Sequence, residues 1–187
     1  MLPQFKEFLR RFVDFSDEEL AAVADFFHLV KIKKGECLYK PGEIASEVGY
    51  LLKGTFRVYY LIDEKESTRF LGRDGILVTS IPSFTTQQPC IEYVEALENS
   101  ELLMVSYQNL QKMYGMSCKW ERVVRMAAEN SYNEQQKRIY SLIALTAHQR
   151  YEQFTKERPD LVQRVPQYII ANYLGISPET LSRIRKI

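Results

Sequence analysis

The last helix candidate of the chain carries the side chains best suited to chemistry. From Pro178 onward, Leu181 and Ile184 recur at helical spacing and form an inner face. The outer face is polar or charged, with Glu179, Thr180, Ser182, Arg183, Arg185 and Lys186. Arginine fits the two acceptors of guanine in the major groove, glutamate accepts from the amino group of cytosine, and serine, threonine and lysine suit phosphate oxygens. This face predicts contact with double-stranded DNA; an ordinary helical hairpin with a charged surface is the alternative.

A helix, a tight turn and a second helix would position that face. The first helix has an apolar inner side made of Ile169, Ile170, Ala171 and Leu174, and Ile176 fills the joint between the helices. Gly175 suits the turn because glycine adopts a left-handed conformation without steric cost. Ser177 can cap the free amides of the second helix, and Pro178 suits its first position. These signals predict a helix-turn-helix whose second helix spans residues 178–186.

Charge is distributed unevenly between the two parts of the chain. Residues 1–136 carry 16 Lys and Arg against 20 Asp and Glu, whereas residues 137–187 carry 9 against 4. A basic end on an otherwise acidic chain is typical of nucleic-acid or anionic-surface binding, although a solvated face produces the same asymmetry.

The centre of the chain has the pattern of a β-structure between helices. Residues 2–28 are predicted to be helical, and Ser16 to Glu19 form a capping box. From Leu29 to Ser106 the apolar runs are short or alternating, and six of the eight glycines punctuate them. Many short strands with glycine-bearing turns favour a sandwich or barrel-like roll. After Ser106 the periodicity is helical to the end of the chain.

One helical stripe follows the strands. Met116, Trp120, Val123 and Ala127 share one side of a predicted helix. The stripe could pack on a partner helix or on the roll, and periodicity alone does not decide between them. Residues 158–160, Arg-Pro-Asp, interrupt the later helices, so a small carboxy-terminal domain is expected from about residue 138.

Composition excludes several classes of protein. The chain has 187 residues, of which 45% are hydrophobic and 26% charged, as in folded soluble proteins. No apolar run approaches the ~20 residues of a membrane span, and the amino terminus does not resemble a signal peptide. Three widely separated cysteines, Cys37, Cys90 and Cys118, lack metal-ligand spacing. We therefore expect a cytoplasmic protein with reduced thiols and no membrane association.

The segment "IIANYLGISPETLSRIRK" closely resembles the recognition motif of the Crp/Fnr superfamily of transcription regulators. "KIKKGECLYKPGEIASEVGYLLKGTFRVYY" resembles the opening of the cyclic-nucleotide-binding β-roll of that superfamily, and "YVEALENSELLMVS" resembles its closing strands. The resemblance implies an α+β fold with a double-stranded β-helix (jelly-roll) sensor domain over residues 1–115. It also implies a dimerisation helix over residues 116–137, with Met116, Trp120, Val123 and Ala127 at the dimer contact. A winged-type helix-turn-helix domain would follow over residues 138–187.

The same resemblance assigns roles to the outer face of the last helix. Glu179 and Arg183 align with the base-reading Glu and Arg of the family. The neighbouring polar residues are implied to position the helix on DNA: Ser177, Thr180, Ser182, Arg185 and Lys186. Pro178 departs from the pattern because some members place a further base-contacting Arg there, so the preferred half-site is expected to differ. The implied function is a homodimeric regulator that binds a pseudo-palindromic site.

The sensor domain departs from the cyclic-AMP pattern. Members that bind cyclic AMP carry a Gly-Glu pair followed about ten residues later by Arg-Ser or Arg-Thr. In this chain Cys90 and Ile91 stand at the Arg-Ser positions and Ser80 lies near the Glu position. A buried phosphate facing Cys and Ile would lack a compensating charge. Cyclic AMP is therefore not expected, and Ser80, Cys90 and Ile91 mark a candidate pocket for an unidentified effector, if the roll has one.

Other functions have less support in the sequence. The chain lacks an amino-terminal cysteine cluster for an iron–sulfur centre, and its two histidines, His28 and His148, are far apart. No metal ligand set or catalytic triad is apparent, so neither an enzyme nor a bound cofactor is expected. Cys90 is either a redox sensor or a small core residue. A ligand-binding or protein-interaction module with a silent helix-turn-helix remains the alternative function. RNA polymerase and a small-molecule effector are further candidate partners.

Overall fold

Two four-stranded antiparallel sheets form the centre of the molecule in the computed structural model, which describes residues 2–186. One sheet has the order β1-β8-β3-β6 and the other the order β2-β7-β4-β5. Because most neighbouring strands are not consecutive in the chain, the connections pass between the sheets as in a jelly roll. The predicted β-roll is confirmed. The strands are β1 Phe27–Ile32, β2 Cys37–Tyr39, β3 Glu47–Lys53, β4 Thr55–Ile62, β5 Lys65–Arg73, β6 Leu77–Val78, β7 Tyr93–Ala96 and β8 Ser100–Ser106.

Side chains that alternate along the strands fill the space between the sheets. Phe56 and Val58 of β4 are buried there with Leu102 and Met104 of β8. Gly49 of β3 lies so close to this layer that a Cβ at its position would collide with the side chains of Leu102 and Met104. The space between the sheets is therefore occupied by the apolar side chains of the roll itself.

Short helices flank the roll. Helix α1, Pro3–Arg10, buries Phe5, Phe8 and Leu9 against it. Helix α2, Asp17–Ala21, begins with the predicted capping box, in which the Ser16 side chain accepts from the Glu19 amide and the Glu19 side chain accepts from the Ser16 amide. A 3-10 turn, Ala24–Phe26, leads into β1. Helix α3, Ile81–Thr86, lies between β6 and β7 and was not predicted.

The helical segment after the roll differs from the prediction at both ends. Helix α4 spans Tyr107–Met116, and α5 spans Cys118–Ala144. Ser117 separates them because its extended backbone ends α4, and its side chain accepts from the Lys119 amide at the start of α5. The expected domain boundary at residue 138 therefore falls inside α5. Within residues 2–186, no helix is both long enough and apolar enough to span a membrane.

The predicted dimer stripe is corrected by the position of its central residues. Trp120 and Val123 are buried in the core of the roll, where the Trp120 ring lies 4.4 Å from the ring of Phe15. Met116 ends α4 and is half exposed rather than lying on α5. Trp120 and Val123 thus follow the alternative of packing on the roll, whereas Ala127 is only partly buried. Trp120 and Val123 are therefore not available to a partner helix.

Four helices complete the chain: α6 Ala147–Glu157, α7 Pro159–Arg164, α8 Gln167–Leu174 and α9 Pro178–Ile184. They enclose a second core that contains Phe154, Leu161, Ile169, Ile170 and Leu181. Helix α6 begins with a capping box between Thr146 and Gln149, which fixes the separation from α5. The core also includes Leu71 and Leu97 of the roll, so the carboxy-terminal helices pack directly on the roll.

Polar contacts accompany this packing. Asn172 of α8 accepts from the Thr68 amide at 2.5 Å and donates to the Glu66 carbonyl at 2.6 Å. Arg138 donates to the Thr68 carbonyl at 2.9 Å, and Arg158 donates to the Leu71 carbonyl at 2.8 Å. All of these backbone partners lie on β5. The strand is therefore bound along its length by side chains from α5, α8 and the α6–α7 junction.

Arg164 makes the largest set of polar contacts between the two parts. Its guanidinium donates to Glu98 at 2.5 Å, to Asp74 at 3.1 Å and to the Gly54 carbonyl at 2.9 Å. Burial alone would raise the pKa of Asp74, but the hydrogen bonds from Arg164 and from the Gly54 amide hold it below its ordinary value. The Asp74 carboxyl therefore favours the charged, ion-paired form.

Replacing Arg164 with alanine is expected to lower the free energy of unfolding by about 1–3 kcal/mol, because hydrogen bonds between charged groups are lost and two carboxylates remain without their partner. Urea unfolding of the purified full chain measures this difference. Arg122→Ala is the matched control, since Arg122 is exposed on α5 and such surface substitutions stay within about 0.5 kcal/mol. Equal unfolding midpoints for the two variants would contradict the prediction.

Candidate nucleic-acid interface and effector site

The predicted helix-turn-helix is present, with each local signal in its expected role. Gly175 has φ of 66°, in the left-handed region, and the Ile176 amide donates to the Ala171 carbonyl at 3.0 Å. The Ser177 side chain accepts from the Thr180 amide at 3.2 Å and caps α9, whose first position is Pro178. Helix α9 ends at Ile184, two residues earlier than predicted, so Arg185 and Lys186 follow it.

One buried side chain sets the orientation of α9. Leu181 is fully buried among Ile169, Ile170 and Leu174 of α8, whereas Ile184 is only partly buried. With Leu181 directed inward, the predicted DNA-contacting side chains lie at the surface. Thr180 is partly buried. The other six are exposed: Ser177, Glu179, Ser182, Arg183, Arg185 and Lys186. The structure thus places all of the predicted contact residues on one accessible end of the molecule.

The two predicted base readers have few competing partners. Arg183 donates only to the Thr180 hydroxyl, at 3.3 Å, within the part of the chain that the structure describes. The Ser177 hydroxyl and the amide of Glu179 lower the pKa of the Glu179 carboxyl, with a smaller effect of Arg183. Glu179 is therefore an ionised acceptor at neutral pH, and Arg183 retains most of its five donors. This combination can read a cytosine amino group and the acceptors of a guanine.

The predicted effector-pocket residues differ in burial and in their hydrogen-bond partners. Ser80 is buried, and its hydroxyl donates to Glu92 at 2.8 Å. Cys90 is also buried, with its thiol 2.8 Å from the Glu43 carbonyl and 3.0 Å from the Lys40 carbonyl. Ile91 is 74% exposed and points to solvent, so its assignment to a pocket was wrong. Ile91 lies in the bend that precedes β7, between the buried residues Cys90 and Glu92.

Glu92 and Arg69 are the charged residues that the sequence reasoning missed at this site. Glu92 is 1% exposed, and Arg69 of β5 donates to both of its oxygens, at 2.5 and 2.7 Å. Burial opposes the charge of Arg69, but the hydrogen bonds to Glu92 raise its pKa overall. The sequence signal that could have indicated this ion pair is the presence of two opposite charges within the segment predicted to form strands. The partly buried Arg69 is therefore already neutralised by Glu92, the carboxylate that also accepts from Ser80.

Cys90 has the environment of a structural thiol. Burial raises its pKa above the ordinary value, and a thiol that stays protonated is a poor nucleophile. Of the two alternatives left open for this residue, the small core residue agrees with these observations. In residues 2–186, no three His, Cys, Asp or Glu side chains are arranged so that they could hold a metal ion.

Comparisons with known proteins agree with this description. Residues 29–116 match the family model of the cyclic nucleotide-binding domain. No curated protein sequence matches the chain. Among solved structures, FixK2 from Bradyrhizobium japonicum is 20% identical, with a TM-score of 0.74 over 86% of this chain and 83% of that one.

Two further structures extend the similarity over more of the chain. A putative Crp/Fnr-family transcriptional regulator from Eubacterium rectale is 16% identical, with a TM-score of 0.72 over 99% of this chain and 85% of that one. The c-di-GMP-responsive regulator CLP from Xanthomonas campestris is 16% identical, with a TM-score of 0.71 over 91% and 90% of the two chains. At these identities the similarity is one of fold, and it confirms the jelly-roll domain and the helices that follow it.

Proposed function

We propose that this chain, which shares the fold of the Crp/Fnr regulators, is a homodimeric transcription regulator that binds a specific DNA site through α9. The observation that carries the proposal is the exposed pair Glu179 and Arg183 on a helix fixed by the buried Leu181. The basic end of the chain supports it, because phosphate contacts supply most of the affinity of such proteins for DNA. The two half-sites would be about one helical turn apart, ~34–36 Å.

The dimer contact is proposed for the side of α5 that its own chain leaves free. Tyr132, Ile139 and Ile143 are exposed large hydrophobic residues on this helix, with Ile143 81% exposed. Their spacing of seven and four residues places them in one stripe, as in the seam of a coiled coil. Trp120 and Val123 lie on the opposite side of α5 and pack on the roll. We therefore assign the contact to the later stripe of α5, with a second copy of the chain as its partner.

Cyclic AMP is not required in this proposal. In the roll, Arg69 is already paired with the buried Glu92, which also accepts from the Ser80 hydroxyl. An incoming phosphate would have to displace a buried carboxylate from its arginine, which leaves that carboxylate without a partner. We infer that the roll either takes an effector of different chemistry or acts without one.

Selection of bound fragments from a random DNA library by the purified protein, with and without cyclic AMP, tests the proposal. The selection is carried out at near-physiological salt because phosphate contacts alone give binding without sequence preference. We expect enrichment of a two-fold symmetric site in the absence of nucleotide. Enrichment only with cyclic AMP would contradict the inference about the roll. Absence of enrichment in both arms would favour a protein-interaction module with a silent helix-turn-helix.

A further inference from the structure

A cleft between α5 and the carboxy-terminal helices is separate from both α9 and the roll interior. It has a volume of ≈ 50 Å³, several times the roughly 10–15 Å³ that one water molecule needs. Its charged lining comes from α5, α6 and the residue after α6: Glu134, Lys137, Arg138, Arg150, Glu157 and Arg158. Four cations thus face two carboxylates in a space large enough for a compact ligand.

The carboxylates do not neutralise the arginines evenly. Glu134 accepts from Lys137 at 2.7 Å and from Arg158 at 3.3 Å, so two of the cations share one carboxylate. The side chain of Glu157 accepts from Gln153 at 2.9 Å. Neither Arg138 nor Arg150 has a carboxylate within ion-pair distance among residues 2–186. The positive charge in the cleft is therefore concentrated on these two guanidinium groups.

Arg138 is held in place by neutral acceptors. It donates to the Tyr173 carbonyl at 2.5 Å and to the Thr68 carbonyl at 2.9 Å, and it lies 4.0 Å from the centre of the Tyr173 ring. Burial lowers its pKa, and the nearby charges of Arg158 and Arg150 lower it further. A guanidinium nevertheless stays protonated at neutral pH. Arg138 therefore remains a cation that the protein orients but does not neutralise.

Arg150 has a donor without a partner. One of its terminal nitrogens donates to the Leu145 carbonyl at 2.8 Å, but its Nε is buried and has no hydrogen-bond partner in the described part of the chain. A buried donor left unsatisfied costs roughly 1–3 kcal/mol. Arginine presents its donors as a planar fork that matches phosphate and carboxylate oxygens. A bound oxyanion would accept a hydrogen bond from the unused donor and would also compensate the excess positive charge.

We propose that this cleft binds a phosphate group, with Arg150 and Arg138 as the recognising residues. The volume suits a free phosphate ion or the phosphate of a small ligand whose remainder projects into solvent. Because α5 contributes one wall and α6 the other, the bound anion would hold the carboxy-terminal helices against the long helix. The site does not depend on DNA recognition by α9, and it is tested without DNA.

Isothermal titration calorimetry of the full chain with inorganic phosphate, at constant ionic strength in chloride, tests the proposal. We expect saturable binding to the wild type, at least tenfold weaker binding to Arg150→Gln, and unchanged binding to Arg122→Gln, which removes an exposed arginine elsewhere on α5. A parallel titration with adenosine monophosphate identifies the source of the phosphate. Tighter binding of the nucleotide, lost in Arg150→Gln, assigns the cleft to a phosphorylated ligand; equal or weaker binding assigns it to the free ion.

Gln153→Glu provides a second variant in case loss of the Leu145 contact unfolds Arg150→Gln. This change is nearly isosteric and adds a carboxylate to the cleft lining, so we expect it to abolish phosphate binding while the far-ultraviolet circular dichroism stays that of the wild type. Phosphate binding of equal affinity in wild type, Arg150→Gln and Gln153→Glu would overturn the proposal. Absence of any saturable binding to the wild type would overturn it as well.

Discussion

Replacing Arg183 with alanine is expected to abolish the preference of the protein for its DNA site. A bidentate arginine–guanine contact discriminates against the wrong base by about 1–3 kcal/mol, so the two half-sites of a dimer together give roughly 2–6 kcal/mol. This corresponds to a loss of about 30-fold to 10⁴-fold in affinity for the selected site. Because Arg183 is exposed and, within residues 2–186, its side chain donates only to the Thr180 hydroxyl, the stability of the chain should not change. Fluorescence anisotropy with the selected site and a scrambled site measures the effect.

Lys186→Ala is the matched control for this experiment. Lys186 is exposed beyond the end of α9, and its proposed partner is a phosphate. Its loss should weaken binding to the selected and scrambled sites by the same factor and reduce the salt dependence by about one phosphate contact per half-site. An Arg183→Ala protein that still preferred the selected site would refute the assignment of Arg183 as a base reader.

The second large effect is expected from Ile139→Asp, which places a carboxylate in the proposed seam between two copies of α5. Burial of an unpaired charge in an apolar contact is unfavourable by several kcal/mol. In a two-fold symmetric contact, both subunits carry the substitution, so the effect is present twice. We expect the dimer to dissociate at least 100-fold more readily. Sedimentation equilibrium at micromolar concentration should show a monomer, and binding to the two-fold DNA site should fall with it.

Asn133→Asp is the control for the charge itself. Asn133 is exposed on the same part of α5 but lies to the side of the stripe formed by Tyr132, Ile139 and Ile143. This variant should remain dimeric and should bind DNA as the wild type does. If Ile139→Asp were dimeric at the same concentrations as Asn133→Asp, the assignment of the seam would have to be abandoned.

The helix-turn-helix was accessible from sequence because its signals are local. Gly175, Ser177 and Pro178 each act through the backbone conformation of their own residue or of the next turn. Leu181 then needs only helical spacing to be placed on the inner face. No distant part of the chain has to be known for this motif, and its geometry therefore agrees with the prediction apart from the end of α9.

Helical periodicity could not predict which parts of the molecule pack against each side of α5. A helical stripe shows which residues share a side, but not which surface covers that side. Trp120 and Val123 pack on the roll. Ile139 and Ile143 lie on another side of the same helix, although the sequence analysis places them in the carboxy-terminal domain. The end of α5 was also missed, although the capping box at Thr146 and Gln149 marks the start of α6.

The charged contacts inside the roll could not be predicted from the sequence for a similar reason. A shift of one residue along an extended chain reverses the side that a residue faces. An alignment that placed Cys90 and Ile91 at the phosphate-binding positions did not distinguish the exposed Ile91 from the buried Glu92 next to it. The ion pair of Glu92 with Arg69 joins residues 23 positions apart. Such a pair becomes visible only when the register of the strands is known.

The contacts of β5 have a consequence for aggregation. Among residues 2–186, this strand is at the edge of its sheet, next to β4, and an open edge can pair with a strand from another molecule. Asn172 satisfies one amide and one carbonyl of that edge, and Arg138 and Arg158 satisfy two further carbonyls. The carboxy-terminal helices therefore act as an edge cover. A roll separated from them by proteolysis would present an unpaired strand on which further copies could assemble.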